Sequence, residues 1–222
     1  MKLKATQDGT SETRAPEPRS YDPVAEEYAR RYNDELEHKP FDRERLDFFG
    51  TLVRPGGLVA DLGCGPGHLA RYLADRGHSV QGYDLSEGML REARRLHPAI
   101  RFEQLDFTNL HIPDGTWAGI VAGYALIHLD PETLSSCLLR LVRALEPRGP
   151  ILASFHLGNR HERIETIWET PVCLNFHFYE SAQLQQLFRA AGFNVLDVRE
   201  RDPYPDVEYQ GRRSYILARG AL

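Results

Sequence analysis

The stretch Val59-Ala60-Asp61-Leu62-Gly63-Cys64-Gly65-Pro66-Gly67-His68 constrains this chain more than any other. Leu58, Val59, Ala60 and Leu62 make the apolar run of a strand covered on both faces. Gly63, Gly65 and Gly67 follow at every second position. Glycines this close together let the backbone take positive φ and bring its N–H groups against a ligand. From His68 to Arg76 the spacing is helical, with Leu69, Tyr72 and Leu73 on one side. The turn thus joins the carboxyl end of a strand to the amino end of a helix, which is where open α/β sheets bind ligands. Its order is G-x-G-x-G rather than the G-x-G-x-x-G of dinucleotide sites, so a nicotinamide-dependent oxidoreductase has the wrong glycine pattern. No Lys-Ser or Lys-Thr pair follows, which excludes a nucleoside-triphosphate P-loop.

The rest of the chain repeats the strand–helix alternation. Residues 1–20 are rich in Lys, Thr, Glu, Arg and Pro and read as a mobile tail. Residues 21–222 read as one domain. Its first helix has Asp22 as N-cap and Pro23 at the first helical position, and carries Tyr21, Tyr28 and Tyr32. A second helix runs from about Asp42 to Leu52, and the two make an amino-terminal helical cap over 21–55. Strands are expected over 79–83, 100–105, 117–123 and 151–155, with helices over 86–97, 131–145 and 181–191. Two last strands, 193–199 and 209–219, are joined by a short loop. The segment 156–180 is too long for an ordinary connection and holds Trp168, Phe176, Phe178 and Tyr179, so it reads as a substrate lid. Five alternating units followed by two strands define a doubly wound α/β domain.

The motif DLGCGPG resembles the first motif of class I S-adenosylmethionine-dependent methyltransferases, and the resemblance extends over roughly residues 21–219. It implies a Rossmann-like sheet of seven strands, mostly parallel, with the last strand antiparallel. It implies S-adenosyl-L-methionine as cofactor and S-adenosyl-L-homocysteine as product. By the same resemblance Gly63, Gly65 and Gly67 surround the methionyl part, and Asp61 holds its ammonium group. Asp84 takes the ribose hydroxyls; an ionised carboxylate at the end of the next strand has acceptors for such a diol. Leu85 and Met89 flank the adenine, and Asp106 and Phe107 take its edge and face. Ala122, Gly123 and Tyr124 lie beside the sulfonium, and Tyr28, with Tyr21 and Tyr32, closes over the cofactor from the cap. The whole chain looks most like bacterial small-molecule enzymes of the ubiquinone-biosynthesis-like and natural-product tailoring type. The alternative is a methyltransferase-like binding or partner protein without activity.

Methyl transfer from a sulfonium is an in-line displacement whose main requirement is orientation, worth on the order of 7–11 kcal/mol. A general base adds roughly 10²–10⁴-fold when the acceptor holds its proton. The candidate bases are His128, His156 and His177, with His161 as a fourth. An alternating stretch from Leu174 to Tyr179 sets Asn175, His177 and Tyr179 on one side and Leu174, Phe176 and Phe178 on the other. The acceptor is expected to be a small metabolite, partly aromatic or apolar, methylated on O or N. The balance of 27 basic to 32 acidic residues gives a net charge of −5, which speaks against a broad nucleic-acid-binding face. The Asn/Asp-Pro-Pro-Tyr/Phe signature of base-modifying relatives is absent; Ala122-Gly123-Tyr124-Ala125 stands in its place. Three scattered cysteines and no histidine pair at helical i, i+4 spacing argue against a metal, and with no long apolar run they fit a cytoplasmic protein that does not enter a membrane, a monomer or homodimer.

Overall fold

The computed structural model describes residues 3–6 and 20–220, the first four as backbone only. Leu3–Thr6 form a strand, β1. This corrects the expected tail at those four positions; the remainder of that expectation, residues 1–2 and 7–19, lies outside the described residues. The cap begins with a 3₁₀ turn over Asp22–Val24, then α1 (Ala25–Tyr32), a second 3₁₀ turn (Glu35–His38) and α2 (Pro40–Leu52). Asp22 does not cap its own helix, as the sequence implied. Its carboxylate instead accepts the Gly88 N–H at 2.7 Å and the Ser86 hydroxyl at 2.5 Å. The competing donors are the free amides at the start of a helix further along the chain, which leave that carboxylate a stronger set of partners.

The alternating units follow: β2 (Leu58–Leu62), α3 (His68–Ala74), β3 (Ser79–Asp84), α4 (Glu87–Leu96), β4 (Arg101–Gln104), β5 (Gly119–Gly123), α5 (Pro131–Ala144) and β6 (Pro150–His156). After β6 come β7 (Arg160–Ile167), β8 (Thr170–Phe178), α6 (Ser181–Ala190), β9 (Phe193–Arg201) and β10 (Arg213–Gly220). The main sheet has seven strands in the order β4-β3-β2-β5-β6-β10-β9. All its pairs are parallel except those of β10, which runs antiparallel to both β6 and β9. The order reverses between β2 and β5, so a crevice opens there above the carboxyl ends of the strands.

Helices cover both faces, which is why the central strands are apolar throughout; every residue of β6 is buried. On one face α5 lays down Leu134, Leu138 and Leu141, and α6 adds Leu184 and Phe188. On the other, Leu46 and Phe49 of α2 and Leu73 of α3 pack on Val59, Val121 and Leu152. Each such buried side chain contributes about 1.5–3 kcal/mol. Helix starts agree with local chemistry: Asp130 accepts the Thr133 N–H at 2.8 Å ahead of Pro131, and Ser86 accepts that of Met89 at 3.1 Å.

The segment expected as a lid is a β-hairpin. β7 and β8 pair antiparallel, and β1 joins on the outer side of β7 to make a small three-stranded sheet. Trp168 and Glu169 turn the hairpin at positive φ of 47° and 66°. Ile164, Val172, Leu174, Phe176 and Phe178 face the core, so the sheet packs on the domain rather than standing free. Tyr28 and Tyr32 of the cap meet Trp168 at ring-centroid distances of 6.2 and 6.0 Å, and the Arg31 guanidinium lies 4.7 Å over the same indole.

Candidate functional site

The glycine turn leaves β2 and starts α3. Gly63, at φ +64°, lies so close to Ala125 that a Cβ would sit 2.4 Å from the alanine methyl. Gly65, at φ +53°, has nothing within 4 Å of where a Cβ would be. The first is a packing requirement; the second leaves bare backbone at the edge of open space. Gly67, also at positive φ, ends the turn as the N-cap of α3. Asp84, at the end of β3, locks the turn from the far side. One carboxylate oxygen accepts the Gly65 N–H at 2.8 Å and the other that of Ser86 at 2.8 Å. Burial raises its pKa, against these amide bonds. The Leu85 amide also lowers it, and the two oxygens keep acceptor capacity beyond these bonds.

The turn opens onto a cavity of about 330 Å³. At one end it is walled by Gly63, Gly65, Asp84, Leu85, Met89, Asp106 and Phe107. Gly123, Tyr124, Tyr28, His128 and His156 line the rest, so most of the residues expected of the site converge. Asp106 also caps its own turn, with Oδ1 accepting both the amide and the hydroxyl of Thr108. Three expected cofactor residues stand back from the cavity wall: Gly67, Ala122, which is fully buried in β5, and Asp61, which is fully buried in β2. Neither Asp61 oxygen has a hydrogen-bond partner, although the Ala70 amide lies near enough to draw its pKa down. Burial outweighs that amide and His68, and pushes the carboxyl up to about 7. The open backbone at Gly65 and the spare acceptors of Asp84 fit an adenosyl sulfonium.

The histidines separate sharply. His128 Nδ1 sits 2.9 Å from the carbonyl oxygen of Asn175, which can only accept, so Nδ1 carries the proton. Nε2 is then a lone pair, 3.3 Å from the Tyr21 hydroxyl. Burial lowers the His128 pKa to about 4. His156 lies between Tyr124, stacked at 5.1 Å, and Tyr209, edge-on at 5.0 Å. Burial first, then the Arg213 cation, lowers its pKa to about 3, and its Nδ1 has no partner. His177 is a correction: it projects from the outer face of β8, stacked on His161 at 4.5 Å, and neither ring lines the cavity. Tyr179, grouped with His177 by alternation, is buried and donates its hydroxyl to the Leu129 carbonyl, because β8 ends at Phe178.

Several lining residues were not singled out from the sequence. Glu35, Lys39 and His68 border the glycine turn, and Glu208, Tyr209 and Arg213 come from the carboxyl-terminal loop and β10. Lys39 bonds Glu35 at 2.7 Å and Glu208 at 3.2 Å, and Arg201 joins Glu208 at 2.5 Å to Asp42 at 2.8 Å. Tyr215 donates to Asp42 at 2.8 Å and meets the Tyr124 hydroxyl at 3.0 Å. This buried network ties α2 and the carboxyl-terminal loop to Tyr124, which holds a positive φ of 54° at the end of β5. Of these groups only the i, i+4 pair Glu35 and Lys39 left a local signal. Among the described residues no three His, Cys, Asp or Glu side chains gather as a metal site, and no helix is long and apolar enough to cross a membrane.

Comparison with known proteins places this architecture. Residues 59–149 match the methyltransferase domain family. A malonyl-[acyl-carrier protein] O-methyltransferase of Serratia marcescens is 30% identical over 197 residues, covering 81% of this chain and 75% of that one. A demethylmenaquinone methyltransferase of Beutenbergia cavernae is 32% identical over 135 residues, covering 58% of this chain and 55% of that one. The chain spans about half the length of several curated relatives that it matches. Among solved structures, Burkholderia thailandensis 1,6-didemethyltoxoflavin-N1-methyltransferase, with 1,6-didemethyltoxoflavin and S-adenosylhomocysteine bound, superposes with a TM-score of 0.63 at 19% identity, covering 96% of this chain and 94% of that chain. The chain belongs to the class I S-adenosylmethionine-dependent methyltransferases.

Proposed function

We propose that the protein transfers a methyl group from S-adenosylmethionine to an oxygen or nitrogen of a small, partly aromatic metabolite. The observation that carries this reading is the continuity of one cavity, from the glycine turn and Asp84 to an aromatic chamber where His128 presents an unprotonated Nε2. Relatives named for a quinone, a hydroquinone and carboxylic acids support a small acceptor. The bound cofactor supplies an electrophilic methyl on a cationic sulfur.

This chain's residues do the rest. Gly63 and Gly65 give the methionyl tail a bare backbone edge, and Asp84 accepts from the ribose hydroxyls. Asp106 and Phe107 take the adenine. Tyr28, Phe176, Tyr209 and Ile167 exclude water and sandwich the acceptor, supplying the orientation worth on the order of 7–11 kcal/mol. His128 Nε2 accepts the acceptor's proton once the substrate displaces the Tyr21 hydroxyl that otherwise shares its lone pair. A base held near 4 is weak against a neutral hydroxyl but ample for the far more acidic oxonium that forms as the new C–O bond closes. Proton capture therefore accompanies methyl transfer, late in bond formation.

Calorimetry with S-adenosylhomocysteine, followed by methyl transfer assays over a panel of phenols, hydroquinones and aromatic amines, tests the reading. Saturable binding and turnover on a member of the panel are expected. Absence of any binding would remove it, and tight binding with no turnover on the whole panel would favour an inactive binding protein.

A further inference from the structure

We propose that Glu35 and Lys39 of the cap, with His68 at the end of the glycine turn, hold the two opposite charges of the cofactor's methionyl end. This rests on the cofactor reading above. All three side chains line the same cavity as Gly63 and Gly65, and His68 follows Gly67 directly. They form a closed trio. Glu35 accepts from Lys39 Nζ at 2.7 Å and from His68 Nε2 at 3.0 Å. Burial opposes ionisation of Glu35, yet the Lys39 ammonium and His68 hold its carboxyl down at about 2. Lys39 is only 3% exposed. Burying such charges costs several kcal/mol each unless they are paired and hydrogen-bonded, and an internal strut of this kind is normally sealed on every side. Here it borders open space.

Capacity for a ligand remains. An ammonium has three donors, and Lys39 gives two, to Glu35 and Glu208. His68 Nδ1 is buried with no partner. A ligand of net charge would leave an uncompensated buried ion, whereas a zwitterion keeps the balance: its ammonium beside Glu35 and the His68 Nδ1 lone pair, its carboxylate beside Lys39. The α-amino acid at the end of the cofactor is such a group. Asp61, which the sequence offers for that ammonium, is fully buried beneath the turn and off the cavity wall. A charged lining therefore has to come from another segment, and the cap supplies it from outside the residues 59–149 that match the family. The same cap carries Tyr21 and Tyr28, which wall the acceptor chamber. Seating the amino acid thus bears on the wall of the second site as well.

The test compares two ligands by calorimetry: S-adenosylhomocysteine, and 5′-methylthioadenosine, the same adenosyl thioether without the amino acid. They are titrated into the wild type, Lys39→Met and Glu35→Gln. The wild type is expected to prefer S-adenosylhomocysteine. Each variant should lose about tenfold in affinity for it, the scale of one charge-assisted hydrogen bond, while 5′-methylthioadenosine binds as before. An unchanged preference in both variants overturns the proposal and leaves the cofactor reading intact. Failure of both ligands to bind the wild type removes the cofactor reading and the proposal together. Hydrogen exchange on the wild type needs no variant: S-adenosylhomocysteine should slow exchange over residues 35–39 and 5′-methylthioadenosine should not, and equal protection by the two overturns the proposal.

Discussion

The two halves of the cavity are built on different plans. The cofactor end is made at strand ends close in sequence, from Gly63 and Gly65 to Asp84, and Asp84 fixes it to the backbone through two amide bonds. The acceptor end is assembled from side chains of the cap, the β7–β8 hairpin and the loop before β10, joined by aromatic contacts and the Arg201–Glu208 pair, and Lys39 links the two ends through Glu208. Strand ends within a hydrogen-bonded sheet have little freedom, so the first half is a stiff feature of the fold. The second half depends on contacts between segments more than a hundred residues apart, and substitutions there can change what fits without disturbing the cradle.

That division is broken or sharpened most strongly at His128. His128→Ala should cut turnover by roughly 10²–10⁴-fold while S-adenosylhomocysteine affinity by calorimetry stays within about twofold. His177→Ala, on the outer face, should leave both within about twofold. A matching loss at His177 would mean that the hairpin approaches the acceptor by its other face. Asp84→Ala is the converse case. It removes the proposed ribose acceptor and unties Gly65 and Ser86, so cofactor affinity should fall roughly 100-fold, the scale of about 2–3 kcal/mol. Circular dichroism should show the sheet intact; wild-type affinity in this variant would detach Asp84 from the ligand.

Acidity gives a smaller effect. Because burial lowers the His128 pKa to about 4, turnover at saturating acceptor should stay level from pH 8 to about 5 and decline only nearer 4. A decline centred at the ordinary imidazole value would place the base in water. Folding follows the same sign. Below about pH 6.5 the unfolded chain takes up protons that His128 and His156 refuse until about 4 and about 3, so these two groups withdraw stability as pH falls through that window.

The glycine turn and its tie to Asp84 were legible in the sequence because their information is local: an apolar run, alternate glycines, then a carboxylate at the next strand end. The sheet order followed from resemblance, since periodicity alone does not say which strands are neighbours. The acceptor half was legible only in part. The hairpin escaped because its turn is Trp168-Glu169, residues that give no hairpin signal although both adopt positive φ. β7 also exposes much of its length, so no apolar run marked it. Asp22 read as a local cap and was drawn instead to a helix start more than sixty residues away. Alternation placed His177 on the side opposite Phe176, as the structure has it; what it could not supply was that the cavity lies on the Phe176 side. The network of Lys39, Glu208, Arg201 and Asp42 has no sequence signature, because its members meet only in three dimensions.

The smallest expected effect concerns the one charged group of the cradle that touches no partner. Asp61 is fully buried, and its carboxyl is raised to about 7 from an ordinary 3.8. Between those values the unfolded chain has released a proton that the folded one keeps. The folded state therefore loses stability as pH rises from about 4 to about 7, and the loss is constant above. Asp61→Asn resembles the protonated acid but brings an amide that also lacks a partner, which offsets part of the gain. The amide costs the same at every pH, so the variant without ligand should stand at or below the wild type near pH 4 and gain on it until about pH 7, read as a gap in urea midpoints that changes with pH and then levels. A gap that is flat across this range would mean Asp61 is already hydrated or paired. It would then belong with the acceptor half, where charges are matched, rather than with a cradle that leaves one unmet.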